Sequence, residues 1–178
     1  MTERQRELLR LIEQAFKCVE PGDGIGLHES VVIDDRGGPE GRRAVRSLDE
    51  KHDWRKLIDD PELRRPNVNG ITGGGMCFFD AEGIRFYLPA YLSVVVMDPE
   101  GEQDGGSIIG DLLIHLTSPQ FKEYNQQHRF TALNTFQRSC VAEVLRYLRD
   151  VYDIPSNEWR VWDIERAIED YWATEETT

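Results

Sequence analysis

The chain has few cysteines, no long apolar run and a shortage of basic residues, and each shortage removes a class of protein. Its three cysteines, Cys18, Cys77 and Cys140, are odd in number, far apart and free of any C-x-x-C pair. That pattern argues against a disulfide framework and against a zinc ribbon. Each lies beside apolar residues, so all three read as structural thiols. The most apolar segment, Leu88–Met97, falls well short of the ~20 residues a membrane helix needs. The first ten residues, MTERQRELLR, are charged throughout and hold no apolar signal core, so a cytoplasmic protein with no membrane partner is expected.

Basic residues number 21 against 33 acidic ones, a net charge of −12, and the imbalance is uneven. Residues 1–66 hold 13 Lys/Arg against 15 Asp/Glu, whereas residues 67–178 hold 8 against 18. An acidic surface repels phosphate backbones, so no nucleic-acid partner is expected. A basic protein partner fits it through steering and complementarity, and solubility alone is the plainer account. With 178 residues, 39% hydrophobic and 30% charged, the chain suits one soluble domain over residues 1–173. Residues 174–178 are then a frayed tail.

What is present is concentrated in MCFFDAEGIRFYLPAYLSVVVM, residues 76–97. Asp80-Ala81-Glu82-Gly83 fits a type I turn, with Asp first and Gly fourth. MCFF and IRFYL flank it, which predicts a short β-hairpin. In the second arm Ile84, Phe86 and Leu88 share one face, and Arg85 and Tyr87 the other. Pro89 suits the first turn of a helix through Ala90-Tyr91-Leu92; the β-branched run Val94–Val96 favours strand, and helix is the expected state.

Helices account for the rest. Thr2 and Gln5 form a capping box for a first helix with Leu8, Leu9, Ile12, Ala15, Phe16 and Val19 at helical spacing. Leu27–Ile33 reads as a short buried element. Pro39 opens a helix to about Lys51 with Ala44, Val45 and Leu48 inward, and Arg42, Arg43 and Arg46 form a solvated face. Trp54 reads as a core anchor or as the aromatic wall of a cleft. The glycine-rich stretch Asn67–Gly75 lacks the Lys-Ser/Thr of a phosphate loop. Acidic residues alternate over Asp98–Asp104, but the spacing misses a calcium loop. Ser107–Leu116 is a helix that places Asp111 and His115 one turn apart, a spacing suited to proton transfer or to a metal. Phe121–Phe130 reads as a loop. Asn134 and Gln137 box the next helix, which buries Phe136, Cys140, Val141, Val144, Leu145 and Leu148. A last helix spans about Glu158 to Trp172 and carries Trp159, Trp162 and Tyr171.

EGIRFYLPAY, LLIHLT and FTALNTFQRSCVAEVLRYL stand in that order, between Asp53-Trp54 and Tyr171-Trp172. In this the chain resembles a family of small uncharacterised bacterial proteins that share a YLPA core, a leucine-rich FHL segment, a helix opened by Leu-Thr/Asn-x-x-Gln and a closing Tyr-Trp. The resemblance runs roughly from Leu27 to Trp172. It implies a single domain and carries no activity over.

The expected architecture is α+β and mainly helical, with five to six helices packed around a small β-hairpin. Three functional readings follow, the last of them a subunit or scaffold without its own ligand. The first is an acidic protein-binding module, immunity- or antitoxin-like or regulatory, with Trp54, Tyr91, Trp159 and Trp162 as contact residues. The second is a small hydrolase or lyase whose pocket is built on Arg85, Tyr87 and His115, with Asp111 and Tyr91 beside them. No cofactor and no metal is expected, since neither a second His nor a Cys follows His115 at ligand spacing.

Overall fold

The centre of the molecule is a helix that the sequence pattern hides. The computed structural model describes residues 1–63, 76–99, 107–120, 122–151 and 164–173, and among them no strand is present. Helices α1 (Glu3–Ala15), α2 (Leu27–Asp34), α3 (Pro39–Val45), α4 (Ala81–Met97), α5 (Ser107–Thr117), α6 (Lys122–Tyr124) and α7 (Thr135–Val151) follow in order. Short 3-10 segments lie at Trp54–Asp59 and Met76–Phe78, and π turns at Asn125–Arg129 and Ile168–Trp172. The described architecture is all-α: the expected hairpin is replaced by the Met76–Phe78 segment and the first half of the 17-residue α4, and the helix expected from Pro89 on is its second half.

The reason is a degeneracy in the local code. The residues of a type I turn have near-helical dihedral angles, so Asp-x-x-Gly at a turn and Asp-x-x-Gly at a helix start look alike. Here Asp80 is the N-cap and its side chain accepts the Gly83 N–H at 2.9 Å. The apparent alternation of Ile84, Phe86 and Leu88 has a second cause. Tyr87 on the supposed opposite face is buried with them, as are Tyr91, Leu92, Val94, Val95 and Val96. A helix apolar on all sides is one enclosed by others, and α4 touches α1, α5, α7 and the Trp54 segment. That enclosure overrides the strand preference of the valines. Pro89 stands inside the helix rather than at its first turn.

Around this axis α1 and α7 lie largely as their periodicity predicts, whereas α3 buries none of Ala44, Val45 and Leu48. The capping box of Thr2 and Gln5 opens α1. The side chain of Gln5 also reaches across to donate to the Val96 carbonyl at 2.8 Å, tying α1 to the end of α4. Asn134 and Gln137 exchange side-chain and backbone bonds at 2.9 and 3.1 Å before α7, which buries Cys140, Val141, Val144, Leu145 and Leu148. Phe136, expected inside, is 48% exposed at the start of α7. Leu48 is 62% exposed because α3 stops at Val45. The stretch expected as a loop after residue 121 instead forms α6 and its π turn. At the far end Trp172 is buried and donates through Nε1 to the Leu116 carbonyl at 2.9 Å. The readings for Asn67–Gly75, Glu100–Asp104, Trp159, Trp162 and the tail 174–178 lie outside the described residues. No helix among the described residues is long and apolar enough to cross a membrane.

Candidate functional site

Three segments meet beside α4: the Met76–Phe78 turn, the middle of α5 and the π turn at Asn125–Arg129. The helical spacing of α5 puts Asp111 and His115 on one face, and His115 Nε2 lies 3.3 Å from Asp111 Oδ1. Cys77 comes to the same nitrogen from the other side, with Sγ 3.2 Å from Nε2. The opposite ring nitrogen, Nδ1, lies 3.2 Å from Arg129 Nη1. Asp111, His115 and Arg129 are buried at 2%, 6% and 3% exposure, whereas Cys77 is exposed. The cluster therefore has a closed floor and a sulfur at its mouth.

Arg129 organises the floor. It donates through Nε to the Phe79 carbonyl at 3.1 Å, through Nη1 to Asn125 Oδ1 at 3.0 Å and through Nη2 to the Met76 carbonyl. Asn125 in turn donates to the His115 carbonyl at 2.8 Å. A guanidinium is only a donor, so its approach makes Nδ1 an acceptor and leaves the ring proton on Nε2, facing Cys77 and Asp111. Burial works against protonation of His115, but the contacts with Asp111 and Cys77 outweigh it and lift its pKa above the ordinary imidazole value. Burial raises the Asp111 pKa, while His115 and Arg129 pull it the other way. Both carboxylate oxygens of Asp111 are buried with no hydrogen bond. His115 Nε2 is at ion-pair distance from one of them, but the alignment is not that of a hydrogen bond. An unsatisfied buried carboxylate is costly and calls for a partner.

The other residues singled out from sequence fall elsewhere. Arg85 pairs with Glu82 and donates to the Glu20 carbonyl at 3.3 Å. Tyr87 is stacked on Phe79 at 4.8 Å, points its hydroxyl at the Glu50 carbonyl at 3.5 Å, and has its pKa pushed well up by burial. Tyr91 is fully buried one turn on, and burial, with Asp111 next in effect, raises its pKa strongly. Trp54 is a core residue whose Nε1 donates to the Phe16 carbonyl at 3.1 Å. An open cleft of about 460 Å³ runs along Ser47–Asp60, and none of Arg85, Tyr87, Asp111 and His115 lines it. Behind His115 a cavity of about 30 Å³ reaches Phe130 and Trp172. That is room for one water and for no organic molecule; of the four cluster side chains, Cys77 is the exposed one.

Cys77 and Arg129 are the members that sequence reasoning passed over. Cys77 sits among apolar residues, which reads as structural, and Arg129 lies in a polar stretch that reads as a loop. The available signal was the Asp111–His115 spacing, which asks for a third group from elsewhere in the chain.

A protein helical among its described residues, with a Cys–His–Asp cluster at the edge of its central helix, is the class these observations define. The chain belongs to a family of unknown function (DUF6714), whose model matches residues 4–176. No curated protein and no solved structure matches it.

Proposed function

We propose that Cys77 is the working group of this protein, a nucleophilic thiol that attacks an electrophilic carbon of a small substrate, in a reaction of the hydrolase or lyase class. The observation that carries this reading is the 3.2 Å contact between an exposed Cys77 Sγ and His115 Nε2. An N–H aimed at sulfur stabilises the thiolate, the reactive form. Arg129, by occupying Nδ1, keeps that N–H in place. This revises the pocket expected on Arg85, Tyr87 and His115, retaining His115 and Asp111 and replacing the other two with Cys77 and Arg129.

The molecule contains its own control, because Cys18 is exposed as well and has no such neighbour among the hydrogen bonds described. Chelator-treated protein is exposed briefly to iodoacetamide at neutral pH, and modification is followed peptide by peptide by mass spectrometry. Cys77 is expected to react about tenfold faster than Cys18, and His115→Gln to bring it down to the Cys18 rate. Equal rates in the unmodified protein overturn the reading.

A second reading rests on charge. The net −12, held mostly by residues 67–178, supports a basic protein partner. Trp54 and Tyr91 are buried and supply none of its contact surface. Capture of a stoichiometric basic protein at low salt, lost at high salt, is the expected outcome; an empty bait at both salts removes this reading.

A further inference from the structure

We propose that Cys77, Asp111 and His115 form a site for one divalent transition-metal ion of the zinc type. The three side chains offer one soft and two harder donors, and their ligand atoms all lie within 4.8 Å of one another. Zinc held tetrahedrally by S, N and O at ~2.0–2.3 Å separates sulfur from nitrogen by ~3.5 Å and nitrogen from oxygen by ~3.4 Å. The corresponding distances here are 3.2 and 3.3 Å. Those two edges lie within a few tenths of an ångström of the tetrahedral values; the third, sulfur to carboxylate oxygen, lies within 4.8 Å against ~3.6 Å in such a site, and Cys77, at the surface on a short 3-10 turn, is the ligand able to move to close it.

Asp111 decides between a metal site and a plain hydrogen-bonded cluster. Its side chain is 1% exposed and both its oxygens lack a hydrogen bond. A cation bound between it, His115 and Cys77 supplies the missing partner. Thiolate and carboxylate together balance a divalent charge. The mixed S, N, O set favours zinc or cobalt over magnesium or calcium, which prefer oxygen alone. Three protein ligands with an exposed sulfur leave the fourth position to water, the arrangement of catalytic rather than structural zinc.

Arg129 opposes loading. A ligating Nε2 must lose its proton, the ring proton then sits on Nδ1, and the Arg129 Nη1 contact there is broken. Arg129 keeps its bonds to Phe79, Asn125 and Met76, so the turn stays attached. The cost falls on affinity, and metal binding releases protons.

This inference uses the same side chains as the thiol reading but does not depend on Cys77 being reactive. The test adds Co²⁺ to the chelator-treated full chain and reads the near-ultraviolet thiolate-to-cobalt band and the visible bands of a four-coordinate ion. One Co²⁺ per chain is expected, displaced by Zn²⁺. Cys77→Ser should abolish the sulfur band, His115→Gln and Asp111→Asn should weaken binding by more than about 100-fold, and Cys18→Ser should change nothing. Cys77→Ser is an exposed, near-isosteric change, so it reports even where a buried variant misfolds. No sulfur band, or binding that survives Cys77→Ser with the same spectrum, overturns the metal site. Fast alkylation of Cys77 without cobalt binding leaves the thiol reading standing alone. Cobalt binding with Cys77 no faster than Cys18 leaves only the metal site.

Discussion

Arg129 donates to the carbonyl oxygen of Phe79 at 3.1 Å across fifty positions of sequence, and with its bond to Met76 it fastens the turn that carries Cys77 onto the π turn after α6. Replacing it with Met leaves two backbone carbonyls and the Asn125 side chain without their donor. Each buried loss costs about 1–3 kcal/mol, so Arg129→Met is expected to lower stability by at least about 2 kcal/mol in urea unfolding. Cys77 should also lose its reactivity advantage over Cys18, because His115 Nδ1 is no longer held as an acceptor. Unchanged unfolding would mean that the turn is held by something else.

Asp111→Asn separates stability from binding. In metal-free protein the carboxylate is buried with neither oxygen hydrogen-bonded, but it stands 3.3 Å from His115 Nε2, and removing one member of a buried pair costs up to about 3–5 kcal/mol. The variant is expected to be less stable than the parent in the presence of chelator. With saturating Zn²⁺ the gap should widen, since the parent gains more binding energy. Thermal unfolding with and without zinc measures both gaps in one experiment.

The parts of the fold that were legible in sequence are those set by local signals. The two capping boxes at Thr2 and Asn134, the stripe Leu8–Ile12–Ala15 and the Asp111–His115 spacing all describe contacts within one or two turns of helix. The first half of α4 was misread because its signals are ambiguous locally, an Asp-x-x-Gly start and an apparent alternation, whereas the second half, from Pro89 on, was expected as helix despite its three consecutive valines. Only its enclosure by α1, α5 and α7 decides between strand and helix. Cys77 and Arg129 were illegible for a related reason. Their chemistry arises where three segments converge, and nothing within either segment announces the other two.

Cys140 illustrates a thiol that was read correctly. It is fully buried in α7, and burial pushes its pKa up to about 12. It should remain unmodified while Cys18 and Cys77 react, and become accessible only on unfolding. The urea dependence of its labelling therefore reports global stability, and should follow the unfolding curve measured by circular dichroism.

Gly83 provides the sharpest test of how α4 begins. On helix propensity alone, Gly→Ala is stabilising by about 1 kcal/mol. Here a Cβ would stand 2.5 Å from the Ile25 carbonyl oxygen, a backbone atom that cannot swing aside, and 3.1 Å from Asp80 Oδ1. Its glycine is required by that close approach, since the Asp80 carboxylate caps Gly83 and also accepts the Ile25 N–H at 3.1 Å. Gly83→Ala is therefore expected to destabilise by about 1–3 kcal/mol, as overpacking does. Asp80→Ala should cost about 1–2 kcal/mol, and Asp80→Asn much less because it keeps a capping oxygen. A stabilising Gly83→Ala would place the segment after Pro21 away from the start of α4, and with it remove the reason for a glycine at this point of the chain.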